Sequence, residues 1–146
     1  EAIAATYGGD IPILQLMGVR PTRQRATLTD WVRGGLPYSS VERLEKLYDA
    51  SQKEFAGYLG IPLSTLQRRK EKNRLLPSES DRAVRFARLY EQALGLMKGN
   101  REAALRWLRH PKQVFDGESP LERAATEAGA AEVGQLIARI RHGVVS

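Results

Sequence analysis

Residues 52–71 read QKEFAGYLGIPLSTLQRRKE, and the spacing inside that run decides the fold. Ala56 is a small residue where two helices would cross. Gly60 follows four positions later, at a turn where a positive φ is favoured. Leu66 lies six positions beyond it and faces back into the trio. Phe55, Leu59, Ile61 and Leu63 complete a small apolar set. This is the pattern of a helix-turn-helix, whose second helix must project its outer face into a DNA groove. One position departs from it: Arg69 stands where such units usually bury an aliphatic side chain. A helical hairpin in a purely structural domain would share much of the same pattern.

Charge favours the DNA reading. From Leu66 to Arg88 the basic residues are Arg68, Arg69, Lys70, Lys72, Arg74, Arg82, Arg85 and Arg88, against Glu71, Glu79 and Asp81. That stretch carries nearly all of the chain's net charge of +6. Cations clustered at the end of a recognition helix are where phosphates would lie, although a charge run is by default a solvated face. Ser64, Thr65, Gln67 and Arg68, outward and early in the second helix, are candidates for reading base edges, Gln toward adenine and Arg toward guanine. Arg69, Lys70 and Lys72, with Gln52 at the start of the unit, complete the expected DNA-contacting set.

Working outward, helical periodicity recurs and sustained alternation does not, so the chain reads as all-α. Residues 1–28 are expected to form an N-terminal arm with at most one short helix: Gly8, Gly9, Pro12 and Pro21 punctuate one apolar patch at 11–17, and Arg20, Arg23 and Arg25 follow. Thr29 is a candidate cap for a turn carrying Trp31, ended by Gly34-Gly35, and Leu36-Pro37 is an extended step. Ser39 or Ser40 is expected to cap the next helix and Ser51 the first of the pair, with Pro62 opening the second. A boundary is expected near Leu76, giving a helix-turn-helix domain at 29–76 and a smaller helical part at 77–146. Ser78 with Asp81 is the expected start of a long helix whose stripe runs through Ala83, Phe86, Ala87, Tyr90, Ala93, Leu94 and Met97. Residues 101–109 form the next helix. Ser119-Pro120-Leu121-Glu122 is a strong start signal for another, expected to end at Gly129. The last helix runs from about 131 to 141, with Val133, Leu136, Ile137 and Ile140 inward.

Composition removes whole classes of chemistry. The 146 residues contain no cysteine and two histidines, which leaves no thiolate or histidine-rich metal site and no His-centred triad. Carboxylate pairs such as Glu42 and Glu45 lie on exposed helix faces, so acid–base catalysis has no candidate and no cofactor is implied. Trp31 and Trp107 are expected in the core, and His110 and His142 at helix ends. No apolar run approaches a membrane span, and a cytoplasmic location is expected. The chain begins with Glu, which leaves a preceding segment or a removed leader open.

From about Leu36 onward the chain resembles the Xre/ParS/MbcA antitoxins, partners of RES-domain toxins. The motifs that carry the resemblance are Gly35-Leu36-Pro37, Gly60-Ile61-Pro62, Ser64-Thr65-Leu66, Arg68-Arg69-Lys70, Arg74-Leu75 and Glu79-Ser80-Asp81-Arg82. In the C-terminal part they are Ala103-Ala104, Trp107-Leu108, Pro111, Phe115-Asp116-Gly117, Ser119-Pro120-Leu121, Ala128-Gly129-Ala130 and Arg141-His142-Gly143-Val144. The resemblance implies a non-enzymatic antitoxin whose helix-turn-helix represses its own operon; because helix-turn-helix proteins usually bind operator DNA on two half-sites, a homodimer is expected. It implies that the C-terminal part binds a toxin that consumes NAD, with the chain's end reaching the toxin's active site. The toxin-binding residues expected on that ground are Arg139, Arg141, His142, Gly143, Val144, Val145 and Ser146. The rival readings are a stand-alone helix-turn-helix regulator with a ligand- or partner-sensing C-terminal domain, and an interaction module that no longer binds DNA.

Overall fold

The computed structural model describes residues 10–143, and among them it contains helices and no strand. Two compact units divide the chain, one ending at Ala87 and the other beginning at Arg88.

Among the described residues, the first unit contains α1 (Asp10–Leu16), α2 (Leu28–Gly34), α3 (Tyr38–Tyr48), α4 (Gln52–Leu59), α5 (Leu63–Lys72) and the first part of α6 (Pro77–Leu96). The described part of the expected arm is built into this core. Ile13 and Leu14 from α1, Met17 and Val19 after it, and Leu28 are all buried, the helical pair sharing one face of α1. Helix α2 starts two residues earlier than the sequence suggested. Thr27, not Thr29, is the cap: its hydroxyl accepts the Asp30 amide at 3.1 Å while the Asp30 carboxylate accepts the Thr27 amide at 3.1 Å. The same reciprocal pair, Ser51 with Glu54, opens α4 as expected. Pro37 rather than Ser39 or Ser40 precedes α3, and Ser40 turns inward to donate to the Pro37 carbonyl at 2.7 Å.

The expected boundary at Leu76 moves eleven residues on, and the reason is what the start of α6 touches. The Ser80 hydroxyl accepts the Leu36 amide at 2.9 Å, and the Leu36 carbonyl accepts the Leu75 amide at 2.9 Å. Phe86 stacks among Tyr48, Phe55 and Tyr58 with ring centroids 6.1–6.2 Å away, and the Tyr48 hydroxyl donates to the Phe86 carbonyl at 2.6 Å. Buried aromatic rings of this kind dominate the energetics of a small core. The first turns of α6 thus belong to the helix-turn-helix side. Its expected cap shifts too. The Glu79 carboxylate, not Asp81, reaches back to the Leu76 amide at 2.8 Å. Val84 and Leu89 are buried in addition to the single stripe read from the sequence, while Leu94 and Met97 are only half-buried.

The second unit holds the end of α6, then α7 (Arg101–Arg109), a 3-10 turn (Gln113–Phe115), the single-turn α8 (Pro120–Arg123) and α9 (Glu127–Arg141). Asn100 caps α7 through the Ala103 amide, and Ser119 with Glu122 caps α8 as expected. Gly129 does not end a helix. Thr126 caps α9, its hydroxyl accepting the Gly129 amide at 3.0 Å, so Gly129 lies in the first turn. Only glycine fits there, because a Cβ would fall inside the van der Waals radius of the Arg123 carbonyl oxygen. Arg123 then clamps the turn, with Glu118 at 3.0 Å and Glu132 at 2.8 Å and its guanidinium over the Phe115 ring. The two tryptophans are half-buried rather than core: each shows a face to a cation, Arg25 over Trp31 and Lys112 over Trp107.

Candidate nucleic-acid interface and C-terminal docking end

Helices α4 and α5 form the helix-turn-helix. Gly60 ends α4 in the left-handed region at φ 67°, and its amide bonds back to α4 carbonyls. Phe55, Ala56, Leu59, Ile61 and Leu66 are buried, so most of the apolar set expected from the spacing closes on itself, while Leu63, expected with them, is only half-buried at the start of α5. Leu66 is fully buried, which turns Ser64, Gln67 and Arg68 outward. Thr65 is half-buried and accepts a hydrogen bond from Arg68 Nη2 at 3.2 Å. Lys70 and Lys72 are exposed, Lys70 with Glu42 at 3.8 Å. An exposed pair at that distance contributes little and is readily exchanged for a phosphate.

Two residues of the expected DNA-contacting set are engaged inside the chain. Gln52 Nε2 donates to the Tyr38 hydroxyl at 2.9 Å, tying α4 to the start of α3. Arg69 turns toward α6, where its Nε donates to Glu79 Oε1 at 2.8 Å, with side chains 18% and 8% exposed. An ion pair thereby fills the position where an aliphatic residue would be buried. Burial pushes the Glu79 carboxyl up, but the Arg69 hydrogen bond, the Leu76 amide and the charges of Arg69 and Arg82 overcome it and hold the group below its ordinary value. Arg69 is held charged chiefly by the same hydrogen bond.

Glu79 and Asn73 position α5, and sequence reasoning assigned neither that role. Asn73 ends α5 at φ 53° and accepts the Tyr38 amide at 3.2 Å through its side chain. A signal for Glu79 was present in Leu76-Pro77-x-Glu79, the spacing of a proline-led first turn with a back-reaching carboxylate.

In the second unit, Arg139, Ile140, Arg141, His142 and Gly143 are all exposed at the end of α9. Ile140 was expected inward; it lies at the surface, one helical turn past the last buried residues, Leu136 and Ile137. The Arg141 guanidinium lies on α6, where a Cβ on Gly95 would sit 2.9 Å from its Nη1. Val144, Val145 and Ser146 lie outside the described residues. No helix among the described residues is long and apolar enough to cross a membrane, and they bring together no group of His, Asp or Glu that would hold a metal.

Comparison with known proteins agrees with this division. A family model described as the antitoxin Xre-like helix-turn-helix domain matches residues 32–88, and one described as the antitoxin Xre/MbcA/ParS C-terminal toxin-binding domain matches residues 93–143. Proteins named Antitoxin Xre are 32% identical over 127 residues in Yersinia enterocolitica, covering 86% of both chains, and 29% identical over 136 residues in Photorhabdus laumondii, covering 92% of this chain and 91% of that one. A third, from Pseudomonas putida, is 36% identical over 84 residues, covering 57% of this chain and 52% of its own. With a helix-turn-helix domain matched over 32–88, a toxin-binding domain over 93–143 and a relative 32% identical over 86% of both chains, the chain belongs to the Xre antitoxin family.

Proposed function

We propose that this antitoxin neutralises a RES-type, NAD-consuming toxin through its C-terminal unit and represses its own operon through α4 and α5. The observation that carries the reading is the pairing in one chain of an outward basic recognition helix with a second unit that ends in exposed Arg139, Ile140, Arg141 and His142. Ser64, Thr65, Gln67 and Arg68 read bases, while Lys70 and Lys72 hold phosphates. Gln52 and Arg69 act through others, by fixing α4 on Tyr38 and α5 on Glu79. A homodimer would place two recognition helices on two half-sites. On the toxin side, an apolar residue flanked by cations at a helix end suits an acidic-rimmed cleft, and residues 139–146 form the plug.

Co-expression with the product of the neighbouring gene tests both roles. The full chain should co-purify with that toxin and block NAD loss. A chain lacking residues 142–146 should keep its helicity and DNA binding but lose protection, since these residues add no core contact among those described. Protection that survives both this deletion and Arg139→Glu would place neutralisation elsewhere on α8 and α9.

A further inference from the structure

Two arginines from distant parts of the chain lie on adjacent glycines. A Cβ on Gly34 would sit 2.6 Å from the Arg25 guanidinium carbon, and a Cβ on Gly35 would sit 2.8–3.2 Å from the stem of Arg74. Gly35 has a positive φ of 84°, and Gly34 does not. The bare backbone at 34–35 thus has the Arg25 head group, from the segment before α2, against one residue, and the Leu75 carbonyl with the stem of Arg74, the second residue after α5, against the next.

The Arg25 head group is also held from the other side, 4.9 Å from the Trp31 ring centroid, at the end of a turn closed by the Thr22 amide to the Arg25 carbonyl at 2.9 Å. Stacking on an indole uses the guanidinium face and leaves its N–H edge free for hydrogen bonding. Among the described residues neither Arg25 nor Arg74 has a carboxylate within ion-pair distance. The nearby Asp30 is taken up by the Thr27 amide. Two cations seated against adjacent residues, with no counter-charge of their own, are both available to an anion that binds across them.

The basic end of α5 says which anion. Lys70 and Lys72 are exposed in its last turn, Asn73 closes the helix, and Arg74 follows directly. Exposed Lys70, Lys72 and Arg74 thus follow one another along the chain from the recognition helix to the glycine seat, and several cations in series suit the repeating phosphates of one duplex strand better than a single small anion. We infer that Arg25 and Arg74, seated on Gly34-Gly35, form a second DNA-backbone site that clamps phosphates flanking the bases read by α5. This rests on the DNA-binding reading above. It also gives the segment before α2 a role in the operator complex that the helix-turn-helix pattern does not contain.

The test uses the full chain with two probes, a duplex from the region upstream of its own gene and a scrambled duplex of equal length. Arg25→Ala and Arg74→Ala should each weaken both duplexes by the same factor. Each should also make the dependence of log affinity on log salt shallower by about 1, and the double variant by about 2. Arg25→Lys should keep the wild-type slope. Hydroxyl-radical protection should shorten at its edges in the Ala variants and stay unchanged at its centre. Arg68→Ala should instead lower affinity for the upstream duplex only. If both Ala variants keep the wild-type slope and footprint while Lys72→Ala changes them, the flanking site is wrong and the recognition helix stands. If Arg25→Ala proves unfolded by circular dichroism, the exposed Arg74 decides: an unchanged slope in Arg74→Ala overturns the site, and a shallower one supports it. A wild-type chain that binds neither duplex overturns the DNA-binding reading and this site together.

Discussion

Gly129 shows two residue-scale effects opposing each other. In a helix interior alanine is favoured over glycine by about 1 kcal/mol. Here the added Cβ would collide with the Arg123 carbonyl, a backbone atom held by the Arg123 clamp. Overpacking a tight contact costs about 1–3 kcal/mol, and a backbone partner cannot step aside as a flexible side chain can. Gly129→Ala should therefore lower the melting temperature, and an unchanged or raised value would show that α8 and α9 can part freely. At Glu79 the sign follows from its lowered carboxyl value. A carboxyl depressed in the folded state adds stability above its unfolded pKa of about 4.3, and that stability is lost as pH falls through the folded value. Acid unfolding of the first unit should accordingly steepen below about pH 4.3. Glu79→Gln should flatten that part of the curve and lower stability at neutral pH by about 1–3 kcal/mol, since Arg69 loses its charged partner.

The elements show how local signals and tertiary partners divide the work. Helix α4 has eight residues, too few to persist alone in water, and the Ser51–Glu54 box and the Gly60 stop bracket it. Ser51→Ala should cost about 1 kcal/mol in denaturant titrations. Leu66→Asp should do far more. It places a carboxylate at a fully buried position of α5, and loss of both helicity and DNA binding is the expected result. A folded Leu66→Asp protein that still binds DNA would remove the basis for the α4–α5 assignment. Trp31 and Trp107 belong at this scale as well, because a half-exposed indole covered by a cation is a surface device rather than a core residue.

For the whole molecule, the boundary inside α6 makes a prediction about cutting it. A chain ending at 76 loses the Ser80 bond to Leu36, the Glu79 partner of Arg69 and the Phe86 ring from the Tyr48–Phe55–Tyr58 cluster. A chain ending at 87 keeps all three. The longer fragment should fold and bind DNA, and the shorter should show reduced helicity by circular dichroism. Equal helicity per residue and equal DNA affinity for the two would mean that the start of α6 is dispensable to the first unit. Small domains have little core to spare, so losing one aromatic ring is a large fraction of it.

What was legible in the sequence was set by local geometry. Gly60 could be read because only a residue free to adopt positive φ closes that turn, and Ser51 and Ser119 because a hydroxyl three residues before a carboxylate satisfies helix-end amides by itself. The helix-turn-helix followed from such spacings, and with the longer series of motifs so did the antitoxin family. What stayed hidden depended on partners far away in the chain. Arg69 looked like a misplaced cation until Glu79 paired with it, and the Gln52 bond to the Tyr38 hydroxyl could not be read from either residue's neighbours. Leu75-Leu76-Pro77 carries every local mark of a linker, yet Leu75 bonds to Leu36 and the helix beyond completes the first core. Gly34 and Gly35 read as a helix stop, and only the folded chain shows the Arg25 head group packed against one and the Leu75 carbonyl with the Arg74 stem packed against the other. Backbone conformation and capping depend on neighbours a few residues apart, so the sequence determined them directly. Charge pairing, burial and the edge of a core depend on which distant segments meet, and the tertiary structure alone decided those.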